Sequence, residues 1–469
     1  MPLYELKKGS STRFWERIFS GKNTFWEITL SGNSFTTRWG KVGTKGQEKT
    51  QSFYSPSEAR REYEKLIHEK TKQGYERVDD TGGPAEDEEV GVPPGVARRN
   101  PELEEAIEKA PDNLEAYLIY GDWLQSQGDP RGELIALQCA AHHAQGEEAT
   151  RLKRQASALV RKYTKYLLGP LADKADNEVD VEWQFGFIKS ARLAVGDYES
   201  DFNVTEAVKQ LLALPSARFL RELTFGLADF RGENNYDTVI AALAEQRCPT
   251  LQKLFIGDYN YPDDTEISWT QLGNIEPLYK ALPNLRSLKL CGGSLELGKA
   301  VDLPELREFT VETGGLPLGA VKAIAESTWP ELERLEVWFG AEDYGAGGGV
   351  DDIQPLLEGK NLPKLKHLGL CNAEFTNELC QVLHQARILK QLETLDLSMG
   401  TMTDEGAAAL AANAAAYKHL KHLDVTRNML SANGETQVAK LCESVARGNQ
   451  RQGYGNEDDD NYRYVAVGE

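Results

Sequence analysis

The residue types best able to do chemistry are scattered along this chain. Six cysteines stand at positions 139, 248, 291, 371, 380 and 442. No two have CxxC spacing, so neither a zinc cluster nor a dithiol pair is written here. Free thiols in a reducing compartment account for them. Gly40, Gly43 and Gly46 lack a following helix N-terminus and a Lys-Ser/Thr pair, which makes them turn glycines rather than a phosphate cradle. His142-His143 belongs to no carboxylate constellation, and no GxSxG, HExxH or Cys/His nucleophile arrangement occurs. The expectation is a chain that is not an enzyme, with no catalytic residue, no metal and no cofactor.

Recognition is better represented, and it begins with charge. The formal net charge is −20. Residues 1–78 hold 15 basic against 9 acidic side chains, a balance of +6, whereas the remainder holds 38 against 64, a balance of −26. Two regions so different in sign are built for different partners. The 469 residues imply several domains. No apolar run approaches the roughly 20 residues needed to cross a bilayer. The opening MPLYELKKGSSTRFW lacks a signal peptide's apolar core, so cytoplasmic residence without membrane contact is expected.

The elements that position the candidates follow from periodicity. Phe25–Leu30 alternates as a half-buried strand, Ser31–Ser34 is a turn, Phe35–Trp39 is the return strand and Gln51–Tyr54 a further short strand. Ser55-Pro56 starts a helix that carries Ala59, Tyr63, Leu66 and Ile67 on one face and stops near Gly74. Residues 79–99 form an acidic Gly/Pro linker. Residues 100–171 read as helices, each opened by a cap such as Asn100-Pro101. Residues 447–469 read as a disordered acidic tail.

Between them, residues 172–446 repeat themselves. Leucine or an equivalent recurs as L-x-x-L-x-L at 220/223/225, 251/254/256, 285/288/290, 306/309/311, 332/335/337, 365/368/370, 392/395/397 and 420/423/425. Successive starts lie 31, 34, 21, 26, 33, 27 and 28 residues apart, with helical stretches between. One strand and one helix per unit at this period predicts an α/β leucine-rich repeat solenoid, or horseshoe. Leucines then point inward, and intervening residues line the concave face. Phe255 and Trp338 are aromatics placed on that face as interface anchors, unless an adjacent loop shields them. Glu308, Glu312, Arg334, Glu336 and Asp396 would accompany them in binding a protein. His367 and His422 fall on equivalent positions two strands apart, roughly 10 Å, too far to share a metal; a solvated polar face is the reading.

Three resemblances add detail. Arg38-Trp39-Gly40-Lys41-Val42-Gly43-Thr44-Lys45-Gly46-Gln47, with Phe25–Ile28 before it and His68–Thr71 and Gly74-Tyr75 after it, resembles the WGR domain across residues 1–78. Lys41 stands where that family's name-giving arginine would be, keeping the charge but losing the planar fork. WGR domains of poly(ADP-ribose) polymerases contact broken DNA ends; bacterial ones, including those similar to a molybdate metabolism regulator, have no catalytic domain attached. The resemblance implies that Trp39 stacks on nucleic acid, with Arg38, Lys41 and Lys45 near phosphates. The alternative places Trp39 within the sheet, packed on Tyr54 or the helix. Residues 116–124 and Gly128–Glu133, followed by Trp183–Ile188, resemble a helical module that accompanies bacterial repeat proteins, and it would cap the repeats. The repeats resemble the ribonuclease-inhibitor-like subtype, although the asparagine that often follows the strand occurs only at Asn428.

The expected architecture is therefore an α+β WGR module, a small helical cap and the solenoid. The expected function is a cytoplasmic bacterial scaffold or regulator whose repeats bind a protein and whose basic module binds DNA ends or nicks. One alternative is a pure protein adaptor without DNA binding; another is an inhibitor of a basic enzyme.

Overall fold

The computed structural model describes residues 3–5, 24–31, 33–41, 47–53, 56–72, 76–78, 99–175, 178–197, 199–229, 234–452 and 463–469. The chain is a multi-domain α+β protein. It divides into two compact units, one of Met1–Pro94 with Asp258–Asp264, the other of Gly95–Gly257 with Thr265–Glu469.

The first unit holds a five-stranded sheet of β1 (Leu3–Glu5), β2 (Thr24–Ser31), β3 (Ser34–Lys41), β4 (Gln47–Ser52) and β5 (Glu76–Val78), in the order β4-β3-β2-β1-β5. All its pairings are antiparallel. The helix α1 (Pro56–Lys72) supplies Tyr63, Leu66 and Ile67 to a core with Trp26, Ile28 and Phe35. The short strand expected over 51–54 instead runs over 47–52, because Gln47–Ser52 pairs residue for residue with Trp39–Ser34. The linker expected over 79–99 lies outside the described residues except for Arg99.

The second unit begins with α2 (Pro101–Lys109), α3 (Leu114–Ser126), α4 (Pro130–His143), α5 (Gly146–Lys162) and α6 (Thr164–Leu168). Asn100, Asn113 and Asp129 cap the first three with their side chains, satisfying backbone donors that a helix start leaves open. A sheet of 11 strands follows. Its strands are β6 (Val179–Gln184), β7 (Phe187–Leu193), β8 (Glu222–Phe225), β9 (Lys253–Ile256), β11 (Ser287–Cys291), β13 (Glu308–Glu312), β14 (Arg334–Gly340), β15 (His367–Ala373), β16 (Thr394–Asp396), β17 (His422–Asp424) and β18 (Ser444–Ala446). Two more, β10 (Gln271–Asn274) and β12 (Gly293–Glu296), make a separate parallel pair. In the large sheet β6 and β7 form a hairpin, and from β7 onward each strand pairs in parallel with the next in sequence. Each leucine triplet opens just before its strand and continues onto it, at β8, β9, β11 and β13–β17, and the side chains fill one continuous core. Helices between the strands, including α7 (Val204–Ala213), α8 (Asp237–Ala244), α9 (Pro277–Ala281), α10 (Leu318–Glu326), α11 (Gln354–Glu358), α12 (Thr376–Val382), α13 (Asp404–Ala412) and α14 (Ala432–Val438), return the chain.

The helices of 100–171 do not close their core alone. Tyr117 and Tyr120 pack with Phe185, Phe187 and Phe219, so the boundary drawn at residue 171 cuts through one hydrophobic cluster. The buried ion pair Asp129–Arg131 fixes this junction. Arg131 Nη2 lies 2.6 Å from Asp129 Oδ2, its Nη1 donates to the Pro215 carbonyl at 3.0 Å, and Tyr166 donates to Asp129 at 2.8 Å. Nor is the segment after Arg447 disordered at its far end. Val465 and Val467 are buried, and the stretch is held by the Ala466 N–H donating to the Met399 carbonyl and the Val467 N–H donating to the Asn372 side chain.

Candidate nucleic-acid interface and sheet face

On β3, alternate residues Phe35, Thr37 and Trp39 share a face. Phe35 and Thr37 are buried, whereas Trp39 is 36% exposed. Its register partners are Trp26 on β2 and Gln47 on β4. Trp26 is buried and lies beneath the Lys70 ammonium, 5.9 Å from ring centroid to Nζ. Trp39 thus marks the point where a covered apolar face opens to solvent.

Arg38, one residue earlier, belongs to the opposite face. Its register partners are Glu27 and Glu48, two carboxylate residues, so the strand does not bring Arg38 and Trp39 together. Lys49, opposite Thr37 on β4, is an exposed cation on the Trp39 face among the described residues. Sequence reading passed it over because the strand was placed four residues too late; with the correct register, the alternation of Gln47-Glu48-Lys49 would have found it. Lys41 ends β3 opposite Thr24, and Lys45 and Tyr54 lie outside the described residues.

On the large sheet, the register aligns Phe255, Lys289, Thr310, Glu336, Gly369, Asp396 and Asp424 in one cross-strand row. Phe255 is half-buried under the Lys289 ammonium, 4.8 Å from the ring centroid. Lys289 pairs with Glu312 at 2.8 Å. Burial pushes the Glu312 carboxyl above its ordinary range, and Lys289 offsets only part of that. Trp338 is 6% exposed and donates to Glu336 at 3.2 Å, which describes a shielded aromatic rather than an open anchor. Arg334 meets the other Glu336 oxygen at 2.5 Å, while exposed Glu308 accepts from Ser287 at 3.2 Å. Burial raises Asp396 as well, despite the Ser398 amide donating to it at 2.8 Å.

His367 is the least satisfied member. Its Nε2 is buried without a hydrogen-bond partner among the described residues, 3.9 Å from Glu336 Oε2. Burial, reinforced by Arg334, pushes its pKa down to about 4, so the ring is neutral near pH 7. Cys371, four residues further along β15 and opposite Trp338, is fully buried, which drives its thiol far above the ordinary value and makes it a poor nucleophile. Among the described residues no group of three His, Cys, Asp or Glu side chains is placed to hold a metal. The face can pair with charges and hydrogen-bonding groups, and burial raises its carboxylates Glu312 and Asp396 although each has a partner. Lys289 and Gly369 belong to it too, at intervening strand positions of the repeat, and the register sets them beside Phe255 and Thr310 and beside Glu336 and Asp396. No helix among the described residues is long and apolar enough to cross a membrane.

Comparison with known proteins bears on each unit. Residues 12–82 match the WGR domain, and the chain carries that domain there. The Escherichia coli (strain K12) protein YehF is 45% identical over 51 residues, 11% of this chain and 19% of YehF, so the chain spans about a fifth of that relative's length. A Bacteroides fragilis protein of known crystal structure is similar in fold over 99% of both chains, with a TM-score of 0.53 and 23% identity. An internalin from Listeria monocytogenes aligns over 52% of this chain and 70% of its own, at 15% identity and a TM-score of 0.26, too low to bear on the fold.

Proposed function

We propose that this chain is a non-enzymatic, two-part interaction protein of the cytoplasm, in which the WGR domain meets nucleic acid through Trp39 and the outward face of the large sheet meets a protein. The observation that carries the reading is the exposure of Trp39 at the open end of an otherwise buried strand face. An exposed indole there offers a stacking surface of the kind that binds unpaired bases at DNA ends or nicks. Lys49 is the accompanying cation on that face. Arg38, set in register between two carboxylate residues, contributes little to phosphate binding. The repeats form a leucine-rich solenoid in this reading, supported by the buried leucine triplets and by strands that pair in sequence order.

Binding of the full chain to nicked, blunt-ended and intact duplexes over a salt series tests it. Trp39→Ala should weaken binding to ends or nicks by roughly 5- to 150-fold, the equivalent of about 1–3 kcal/mol for one stacked base. Lys49→Ala should lower the log–log salt slope by about 1. No binding at low salt by the wild-type chain removes nucleic acid from the function and leaves the protein adaptor, a second reading that the carboxylate residues flanking Arg38 favour.

A further inference from the structure

Segment 463–469 lies along the C-terminal ends of strands of the large sheet and the turns after them, and it is held there mainly through its backbone. Val467 N–H donates to Asn372 Oδ1 at 3.0 Å, and Asn372 Nδ2 donates to the Val467 carbonyl at 2.6 Å. The Asn372 carboxamide thus reads one residue's N–H and C=O together, as a neighbouring strand would. Ala466 N–H donates to the Met399 carbonyl at 2.9 Å. Arg451 donates to the Tyr464 carbonyl at 2.7 Å while its other nitrogens hold the carbonyls of Arg427 and Gly400.

The groove is built for this. Asn372, Met399 and Arg427 follow one another from repeat to repeat, and all three have left-handed backbones, with φ of 54°, 67° and 56°. Such angles are uncommon outside glycine. Here they turn the Met399 and Arg427 carbonyls toward the segment and its Arg451 clamp. Asn372 is itself fully buried. Side chains supply the selectivity. Val465 and Val467, two residues apart, are 2% and 6% exposed. Gly468 packs so closely on Gly314 that a β-carbon on Gly314 would overlap the Gly468 carbonyl.

We propose that the ends of β13–β17 form a binding groove for an extended Val-x-Val-Gly segment, and that the chain's own Val465–Gly468 fills it as a displaceable plug. The partner that fits is a protein presenting an exposed extended stretch of that spacing. Against the cost of ordering seven residues, the attachment sets these hydrogen bonds, two buried valines and a hydrogen bond from Tyr344 to Glu469 at 2.7 Å, so that release of the plug would be a local opening.

The test uses the full chain and a fluorescent peptide of sequence Arg463–Glu469. Val467→Asp should empty the groove, so that this variant binds the peptide at least about tenfold more tightly than the wild type, whose groove is filled. Adding Asn372→Ala should abolish that binding. A Val467→Asp chain that keeps the wild-type thermal transition yet binds no peptide overturns the proposal. Hydrogen exchange in the unaltered chain is the second measurement, independent of how the variants fold. Ala466 and Val467 amides that exchange faster than those of Leu395 and Leu423 support a displaceable plug. Amides that exchange as slowly as those core residues show a permanent strap and overturn it.

Discussion

Two arginine–carboxylate pairs in the second unit differ little in length and greatly in consequence. Arg131–Asp129 spans 2.6 Å, with side chains 2% and 3% exposed, and has Tyr166 and the Pro215 carbonyl as further partners. Arg334–Glu336 spans 2.5 Å on the sheet face, where Arg334 is 43% exposed. The first is a closed network that ties the helices to the sheet. The second leaves neighbouring groups uncompensated: His367 Nε2 has no hydrogen-bond partner among the described residues, and burial raises Glu312 and Asp396. Distance alone does not distinguish a closed network from an open one; burial and the number of satisfied partners do.

Asp129→Ala should have the largest effect. It strips a buried guanidinium of its charge partner and removes the α4 cap, at a cost of about 3–5 kcal/mol. The readout is the urea midpoint of the full chain. A loss below about 1 kcal/mol would place this pair with ordinary surface ion pairs.

The sheet face should reveal itself through pH. His367 has an ordinary pKa of 6.5 and a folded value of about 4, so folding favours its neutral form. Its contribution to stability is complete above about pH 6.5 and is lost as pH falls toward 4, by up to about 3 kcal/mol. Glu312 and Asp396 act in the opposite sense. Their raised values penalise the folded state near neutrality, and acid relieves that penalty as it protonates them. The wild-type acid limb should therefore be shallow. His367→Asn, compared with wild type in urea at pH 7 and pH 4.5, should be relatively more stable at the lower pH. Identical pH dependence in the two would mean that the ring is solvated in the folded state.

Gly132→Ala tests the lock without altering charge. A β-carbon there would come 2.5 Å from the Gly121 carbonyl oxygen and 2.6 Å from the Gln125 nitrogen, both backbone atoms that cannot step aside. The helices α3 and α4 would have to separate, at about 1–3 kcal/mol. Thermal unfolding, together with near-ultraviolet dichroism from Tyr117, Tyr120 and Phe187, reports it; an unchanged aromatic signal would show that the helices absorb the methyl without moving.

The same contrast explains what the sequence discloses. Leu395 and Leu423 can be assigned from the sequence alone, because a strand repeated every turn of chain must bury the same positions each time. Trp39 was identifiable through its Trp-Gly-Lys context, but its separation from Arg38 follows only from strand alternation, and Lys49 only from the register with β4. Asp129 and Arg131 lie two residues apart, yet what makes them a lock is Pro215 and Tyr166, brought from 84 and 37 residues away. Val465 and Val467 gave too little periodic signal to stand out against the acidic residues before them. Their burial depends on Asn372 and Met399, which a window along the chain cannot bring near.

Arg334→Ala should be the mildest change in stability and the sharpest test of how the face is tuned. Its side chain is 43% exposed, so its removal should cost about 1 kcal/mol, well below the cost at the closed pair. Arg334 is nevertheless the largest contributor after burial to the depression of His367, whereas Glu336 works to raise it. Without Arg334, the Glu336 carboxylate 3.9 Å from His367 Nε2 becomes the dominant charge, and the histidine should titrate closer to its ordinary value of 6.5. A proton NMR titration of His367 in the full chain measures this directly. An upward move with little change in the unfolding midpoint would mean that the face exchanges charge partners at low cost to the fold. A histidine that still titrates near 4 would assign the depression to burial alone and make the Arg334–Glu336 pair a bystander.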